Sequence, residues 1–594
     1  MGCGRQLRVS RFVSVGMDAV APSHPAPENM LAPVAAALTL RRTAASNGFL
    51  PIITPFHWQK WKELLAAAGT LSQFADVPEG IHFGWRIGVP DSYSLSSSYI
   101  PPNHNSALEN IDFLLDYIDT EVREHRYSGP FSPSRLERII GPFRTSPLGV
   151  IPKPGSSKFR LIQDHSFPCD GSFPSVNSMI DTSLFECDWG TFSDCWIRVA
   201  TAPPGSQASV FDVEAAHRRS PIAPEDQYLV CVMIEVNGVT RIYIDHCACF
   251  GCSSSSGLFG RPGDAITTIY AHRGVDDVLC WADDFVFFRF PLPSSPSNSR
   301  SFSFDESLIF EVAEELGWPW SPSKHIPFAF SFPYIGFDWD LTNKTVSIPL
   351  KKCSKYLLRL EPWVAGSSVS LKDCQSVIGC LQHCTLVLSD GCSHLPSFYR
   401  LAASFKVSSS LVKHRIPSST LADANWWRSQ LSSAWCGTKI SIPPDPLPHS
   451  IYVDTSTSFG IGFVFDDHWL AWRLLDGWNC GGQDIGWAEM VAIDLGLRTL
   501  VHAGFRNCHL LFHSDNQGVV GALKSGRSRN SAQNFILRHL VSCFRDNDIW
   551  LSVSWVKSGE NTSDPVSRGV FPSKARFEHP PPLPHYLKNL VTLV

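Results

Sequence analysis

The apolar positions of this chain change period several times along its length, and each change predicts an element. From Pro55 to Gly69, Phe56, Trp58, Trp61, Leu64 and Leu65 recur at helical spacing and predict one amphipathic helix. A second helix is predicted from Ser106 to Arg126, with Leu108, Ile111, Leu114, Leu115 and Ile118 on one face. Residues 140–290 alternate short apolar runs with Gly, Pro and Ser turns, which predicts strands. Asp305–Leu316 reads as a helix, 326–350 as short strands, and Lys355–Leu401 as mostly helical. After the Pro-rich run Ile442–Pro448, an alternating pattern opens at Ile451. The pattern then runs strand, strand, helix, strand, helix, and predicts a separate α/β domain. Residues 1–50 show little periodicity, Pro291–Ser297 reads as a flexible insert, and Pro580–Pro584 as an extended tail.

One strand-like run breaks the apolar rule. Val278-Leu279-Cys280-Trp281-Ala282-Asp283-Asp284-Phe285-Val286-Phe287-Phe288 places two adjacent carboxylates inside an otherwise apolar stretch. Burying unpaired carboxylates is costly, and neighbours repel. No Lys or Arg lies within the run, so a divalent cation is the expected partner. The pattern predicts strand, tight turn, strand, with the carboxylates at the tip. That arrangement suits Mg²⁺ together with a phosphate substrate.

Composition adds bounds. The 594 residues admit three to five domains at roughly 100–200 residues each. Hydrophobic content of 44% against 18% charged residues describes a globular chain. No apolar run reaches about 18 residues, so no membrane span is expected. Met1–Gln6 only half matches a myristoylation signal, and no continuous apolar segment follows for secretion. Eighteen cysteines without a compact repeat predict reduced thiols inside a cell. A net charge of −5 provides no global attraction for nucleic acid, so contacts of that kind need local basic patches.

Further motifs flank the aspartate pair. Asp212 ends the apolar run Ala208–Phe211 and is the best third carboxylate, unless it only caps a following helix. Leu148–Ile162 reads as a basic hairpin of the sort that can clamp a triphosphate, although taken alone it reads better as a solvated hairpin. Phe250-Gly251-Cys252-Ser253 permits close backbone approach to a ligand. Lys324 and the Phe332–Phe337 hairpin follow the aspartates. The run His246–Cys252 also suggests zinc, but it lacks a matching second ligand pair. Lys351, Lys352, Lys355 and Arg359 read equally as a groove lining or as a solvated helix face.

Taken in order, these motifs resemble the fingers and palm of reverse transcriptases over about residues 80 to 400. Asn103–Glu109, Ser128–Phe131 and Phe143–Gly149 further resemble DIRS-type (tyrosine recombinase) retrotransposon polyproteins, fungal-like ones in particular. The paired-aspartate motif begins with Trp281 where most relatives have Tyr. The resemblance implies that Asp212, Asp283 and Asp284 hold two metals. It implies Lys158 and Arg160 on the incoming triphosphate, Gly251 against the template–primer and Lys324 as general acid. His217 falls where relatives carry a bulky aromatic that excludes a ribose 2′-hydroxyl.

The α/β domain has its own acids: Asp454 in Ile451–Ser456, Glu489 in Trp487–Ala492, Asp515 after Leu510–Ser514, and Asp564 in Trp555–Asp564. An Asp-Thr-Ser triplet at 454–456 also marks aspartic proteases, but the context that follows does not fit one. Four acids from different elements make a metal constellation. The set resembles ribonuclease H, in which two Mg²⁺ ions serve hydrolysis of RNA in a hybrid. Lys524–Arg529 reads equally as a hybrid contact or a solvated loop.

The expected fold is an α+β right-hand polymerase (fingers, palm, thumb) followed by an α/β ribonuclease H-like domain. The expected boundaries are 1–80, a partly disordered N-terminal extension; 81–345, fingers and palm; 346–440, thumb or connection helices; 441–449, a linker; 450–575, the ribonuclease H-like domain; and 576–594, a Pro-rich tail. The implied activity is RNA-directed DNA synthesis with ribonuclease H cleavage. The implied cofactor is Mg²⁺, two per site, with Mn²⁺ as an alternative. Implied partners are an RNA template, a DNA primer, the RNA–DNA hybrid and deoxynucleoside triphosphates, in an intracellular (nuclear or cytoplasmic) setting. The rival readings are a catalytically retired remnant that binds nucleic acid, and a nuclease with an inactive polymerase.

Overall fold

The computed structural model describes residues 31–153, 158–275, 277–292, 301–406 and 411–594. The Met1–Gln6 motif and most of the Pro291–Ser297 insert lie outside them. The chain divides into two compact units after Ile335. The fold class is the expected one, an α+β unit followed by an α/β unit. Among the described residues no helix is long and apolar enough to cross a membrane, and every cysteine is a free thiol.

The first unit is organised around a four-stranded antiparallel sheet. Its spatial order is Val278–Trp281, Asp284–Arg289, Gln207–Asp212 and Ile326–Ala329. Strand alternation sends Phe211, Phe285 and Phe287 to one face, where they pack with Trp318 and Trp320. Two helices cover that face. Tyr270 of Ser255–His272 meets Phe287 and donates its hydroxyl to Ile309 O at 2.9 Å, and Phe310 of Ser307–Leu316 meets Phe211. The opposite parity, Asp212, Asp284 and Val286, faces away from those helices.

The basic hairpin forms as expected, with Leu148–Pro152 paired to Phe159–Gln163. The helix predicted over 106–126 is interrupted at Asn110, between Asn105–Glu109 and Ile111–Arg123. The Asn110 amide donates to Ser106 O, and Leu108 is left exposed while Leu114 and Ile118 are buried. A buried ion network ties this second helix to the core: Arg218 binds Glu121 and Asp245, and Arg126 binds Glu121.

The N-terminal extension expected over 1–80, partly disordered and loose over 1–50, is instead built into the first unit from residue 31 onward. The helix expected from Pro55 to Gly69 forms within it. Leu31–Ser46, Trp58–Ala67 and Asp76–Phe83 are helices. Leu50, Phe56, Trp61, Leu65 and Val77 are core residues of the first unit. Arg41 donates to Ile140 O and Pro142 O and stacks on Tyr228. The apolar face of Trp58–Ala67 has nowhere to bury in an isolated extension, and this core supplies the partner.

In the second unit Phe337–Asp340 pairs with Thr345–Ser347, which pairs with Gly437–Lys439. These pairings draw the division earlier than the expected 345/346 boundary. Helices Leu350–Leu360, Leu371–Cys384, Pro396–Ala403 and Ser418–Leu431 follow. Ser370 and Asp373 form a capping box that starts the second of these.

The α/β part has the spatial strand order Trp550–Trp555, His509–Ser514, Ile451–Thr455, Gly460–Phe465, His468–Leu474. The first three run parallel and the last three are antiparallel hairpins. Helix Ile485–His502, capped by Asp484, packs its apolar face on the sheet. The Pro580–Pro584 run has no helix or strand, as expected, but the tail 576–594 is not separate from the domain. Ala575–Arg576 and Val591–Leu593 both pair with His468–Leu474, and Leu587 and Val591 are buried. Val591 and Leu587 supply apolar anchors that hold the Pro-rich run against the domain.

Candidate active sites

Register builds the first site. Asp212 is directly opposite Asp284 across the central strand pair, so both carboxylates stand on the face that the helices do not cover. Asp283 sits in the turn between the hairpin strands. Ala282 before it has φ +53, a left-handed value that a non-glycine residue seldom takes. Asp283 O accepts from Val213 N at 3.0 Å, which fixes the turn beside Asp212. The Asp212 carboxylate receives both Lys324 Nζ contacts, at 2.6 and 2.7 Å. Burial raises the Asp212 pKa, with Lys324 opposing and Asp283 adding. Asp284 is pushed up to about 6 by burial, then by Asp283 and Asp212.

The other expected residues lie around this row as follows. His217 is buried, lies edge-on to Phe250 at 4.7 Å, and its Nδ1 has no hydrogen-bond partner. Burial lowers its pKa, against a raising influence of Asp283. Arg160 lies 5.4 Å over the same Phe250 ring. Phe250 therefore joins the basic hairpin to His217, a role that the sequence reading did not assign. Lys158 is exposed at the hairpin end, where Lys153 N donates to its carbonyl. Gly251 has φ +119, and a Cβ there would lie 1.9 Å from Gln163 O. Its glycine is required by packing within the chain. His246 is bonded to Ser128 and Gln227, and among the described residues the His246–Cys252 run forms no metal cluster.

The second site is tighter. Asp454, Glu489 and Asp515 each offer a carboxylate oxygen, all within 4.8 Å of one another, and they are the one such acidic, His or Cys group among the described residues. Asp454 is on the central strand, Glu489 in the first turns of Ile485–His502, and Asp515 follows the parallel strand His509–Ser514. Ser567 Oγ donates to Asp454 Oδ2 at 2.5 Å and Ser558 Oγ donates to Asp515. The Asn561 amide donates to Val453 O at 2.9 Å. Ser563, Ser567 and Asn561 are all buried. They form a polar floor that the sequence reading missed, although Asn561 stands in the phrase that identified Asp564. Asp564 itself is outside the close trio, with both oxygens bound by Arg568.

The trio fits a hard cation. Glu489 Oε2 is buried without a hydrogen-bond partner. Burial, then Asp454 and Asp515, push the Glu489 pKa up to about 9, and burial pushes Asp454 up to about 6 against the Ser567 hydrogen bond. Three converging carboxylates, with Arg568 acting on Asp454 and Asp515 only through its charge and not by a bond, match an oxygen-ligated dication. At the first site the ammonium of Lys324 already offsets part of the charge.

No protein-family model matches the sequence. No curated protein matches it. Among solved structures, the chain is similar to the foamy viral protease–reverse transcriptase dRH in complex with double-stranded DNA, at 13% identity, covering 84% of this chain and 81% of that one, with a TM-score of 0.43. It is similar to the foamy viral protease–reverse transcriptase in complex with an RNA/DNA hybrid, at 12% identity over 89% and 65%, TM-score 0.44. It is also similar to that protein in complex with double-stranded DNA, at 14% identity over 79% and 87%, TM-score 0.42.

Proposed function

We propose that the chain is an RNA-directed DNA polymerase with ribonuclease H activity, from a retroelement of the DIRS type. The observation that carries this reading is the presence, in one chain, of two separate carboxylate centres at strand ends, one per unit. In the first unit Asp212, Asp283 and Asp284 would hold divalent metal. In the second, Asp454, Glu489 and Asp515 would do so, with Asp564 nearby. Bound Mg²⁺, with Mn²⁺ as an alternative, would supply charge to activate a hydroxyl or water and to stabilise the departing oxygen.

The chain's own residues do the rest. Lys324, at 2.6 Å from Asp212, delivers a cation and a proton donor beside the first centre. Lys158 and Arg160 place positive charge on the hairpin that faces a triphosphate. His217 bounds the sugar side with a ring smaller than the aromatic of relatives. Ser567 and Asn561 hold Asp454 in place, and Ser558 does the same for Asp515. The proposed partners are an RNA template, a DNA primer, their hybrid and deoxynucleoside triphosphates, inside the cell.

Primer extension on an RNA template, with hybrid cleavage measured in parallel, tests the reading. Asp283→Asn is expected to abolish extension and leave cleavage intact, and Asp515→Asn the converse. Cleavage without extension in the unmodified protein would establish the nuclease reading. Loss of neither activity in these variants would sink both assignments.

A further inference from the structure

Segments that surround the first site meet in one buried polar network. The hairpin strand Phe159–Gln163 ends at Gln163, the strand Val239–Asp245 ends at Asp245, and the turn Ala216–Arg219 after Asp212 carries Arg218. All three side chains are buried, Asp245 completely. The Arg218 guanidinium binds both Asp245 oxygens at 2.9 Å. It also donates to Glu121 Oε2 at 2.6 and 3.0 Å, and to Cys247 O and Ala248 O at 2.9 and 3.1 Å. Asp245 Oδ2 accepts a further bond from the Gln163 amide at 3.1 Å.

Each member reaches a different wall of the site. Arg218 directly follows His217 in the turn. Gln163 ends the strand that carries Arg160, and its backbone N donates to Phe250 O at 3.3 Å. The carbonyls that Arg218 holds, on Cys247 and Ala248, belong to the segment that leads into Phe250. Phe250 in turn lies against both the His217 ring and the Arg160 guanidinium. Asp245 therefore joins the turn that presents His217 to the strand that presents Arg160. Apolar side chains of similar volume often hold a core as well as buried ions do. What the ions add here is direction, because each bond fixes a distance and an angle.

We propose that Asp245 is a positioning residue: by tying Arg218 to Gln163 it fixes the spacing of His217 and Arg160, and so the width of the pocket for the incoming deoxynucleoside triphosphate. This rests on the polymerase reading of the first centre. With no exposed surface, Asp245 touches no substrate and acts only through its partners. When the Gln163 amide is removed, the hairpin keeps its own pairing with Leu148–Pro152 but loses its side-chain bond to Asp245. Arg160 is then no longer held in place before the triphosphate arrives, and binding has to supply the order. The loss falls on the triphosphate concentration that the protein needs, while the chemical step at Asp212, Asp283 and Asp284 is left alone.

The test uses the full chain with Mg²⁺ and a DNA primer annealed to an RNA template. Extension at varied triphosphate gives KM and kcat, and a fluorescent deoxynucleoside triphosphate on a dideoxy-terminated primer gives Kd. Gln163→Met keeps the side-chain length, removes the amide donor and leaves every charge in place. It should raise KM and Kd by roughly 10- to 100-fold and hold kcat within about twofold. Asp245→Asn should shift KM and Kd in the same direction; should it fail to fold, Gln163→Met decides alone. KM and Kd within about twofold of the unmodified protein in Gln163→Met, whatever its urea midpoint, overturn the positioning role. A protein that binds triphosphate without extending primers, and binds it more weakly as Gln163→Met, keeps that role and overturns the polymerase reading. Extension with unchanged KM in Gln163→Met does the reverse. Neither binding nor extension by the unmodified protein overturns both.

Discussion

Glu489 shows at the scale of one residue how a fold stores charge. Its carboxyl is 3% exposed, with one oxygen unpartnered and two further acids within ligand distance. With its pKa pushed up to about 9, it is protonated in metal-free protein near neutral pH. Glu489→Gln replaces that neutral acid with a neutral amide of the same shape. The expected outcome is an unchanged Tm in chelator and loss of the Tm rise that Mn²⁺ gives the unmodified protein, since a cation stabilises only the state it binds. Hybrid cleavage should fall by about 100-fold or more. A Tm rise that persists in the variant would remove Glu489 from the ligand set.

At the scale of elements, close approach decides which side chains can cooperate. Gly462 is opposite Asp454 in the antiparallel pair. A Cβ there would lie 2.6 Å from Ser563 O and Ser567 N. The missing side chain lets the Ser563–Ser567 turn rest on the strand and brings the Ser567 hydroxyl to Asp454. Gly462→Ala should therefore lift the turn, cost about 1–3 kcal/mol of stability, and reduce cleavage without touching extension. Urea denaturation and the paired activity assays check both halves. The hairpin at 278–289 follows the opposite logic. Its strands, turn and carboxylate tip are local, and they are where the apolar pattern predicted them.

At the scale of the whole chain, long-range polar ties set how stability responds to conditions. In the first unit His165 is bonded to Ser146, Gln163 and Cys249, and His246 to Ser128 and Gln227. Burial lowers their pKa values to about 4 and about 3, helped by Arg144 and Arg218 respectively. Unfolding restores the ordinary value near 6.5, so between these limits the unfolded state binds more protons. Stability from this source is complete above about pH 6.5 and falls as pH drops toward 3–4. The urea midpoint of the first transition should decline over that window, and the His165→Gln/His246→Gln variant should show a flatter profile. In the second unit Arg538 donates to Asp423 and to Ser393 O, and Asp423 also accepts from Ser397. Arg538→Ala leaves a buried carboxylate and carbonyl short of donors, which should cost about 1–3 kcal/mol. The loss should be read in the second unit's denaturation midpoint.

By itself the sequence determined what rests on neighbours along the chain. The helix over Trp58–Ala67 and the aspartate hairpin follow from period and turn chemistry. So does the strand–helix order after Ile451. The candidate acids were legible because a carboxylate in an apolar run is costly wherever it occurs. Tertiary structure alone decided what rests on contacts between distant segments. It docked the helices before residue 80 and the Pro-rich tail, whose apolar side chains name no partner in sequence. It assigned Gly251 to packing against Gln163 and left Asp564 with Arg568 outside the close trio. It also put Trp189 beside Trp281 and Ser567 under Asp454, across 92 and 113 positions. The physical reason is range: local pattern specifies which face an element buries, whereas only the closed core specifies which other face it meets.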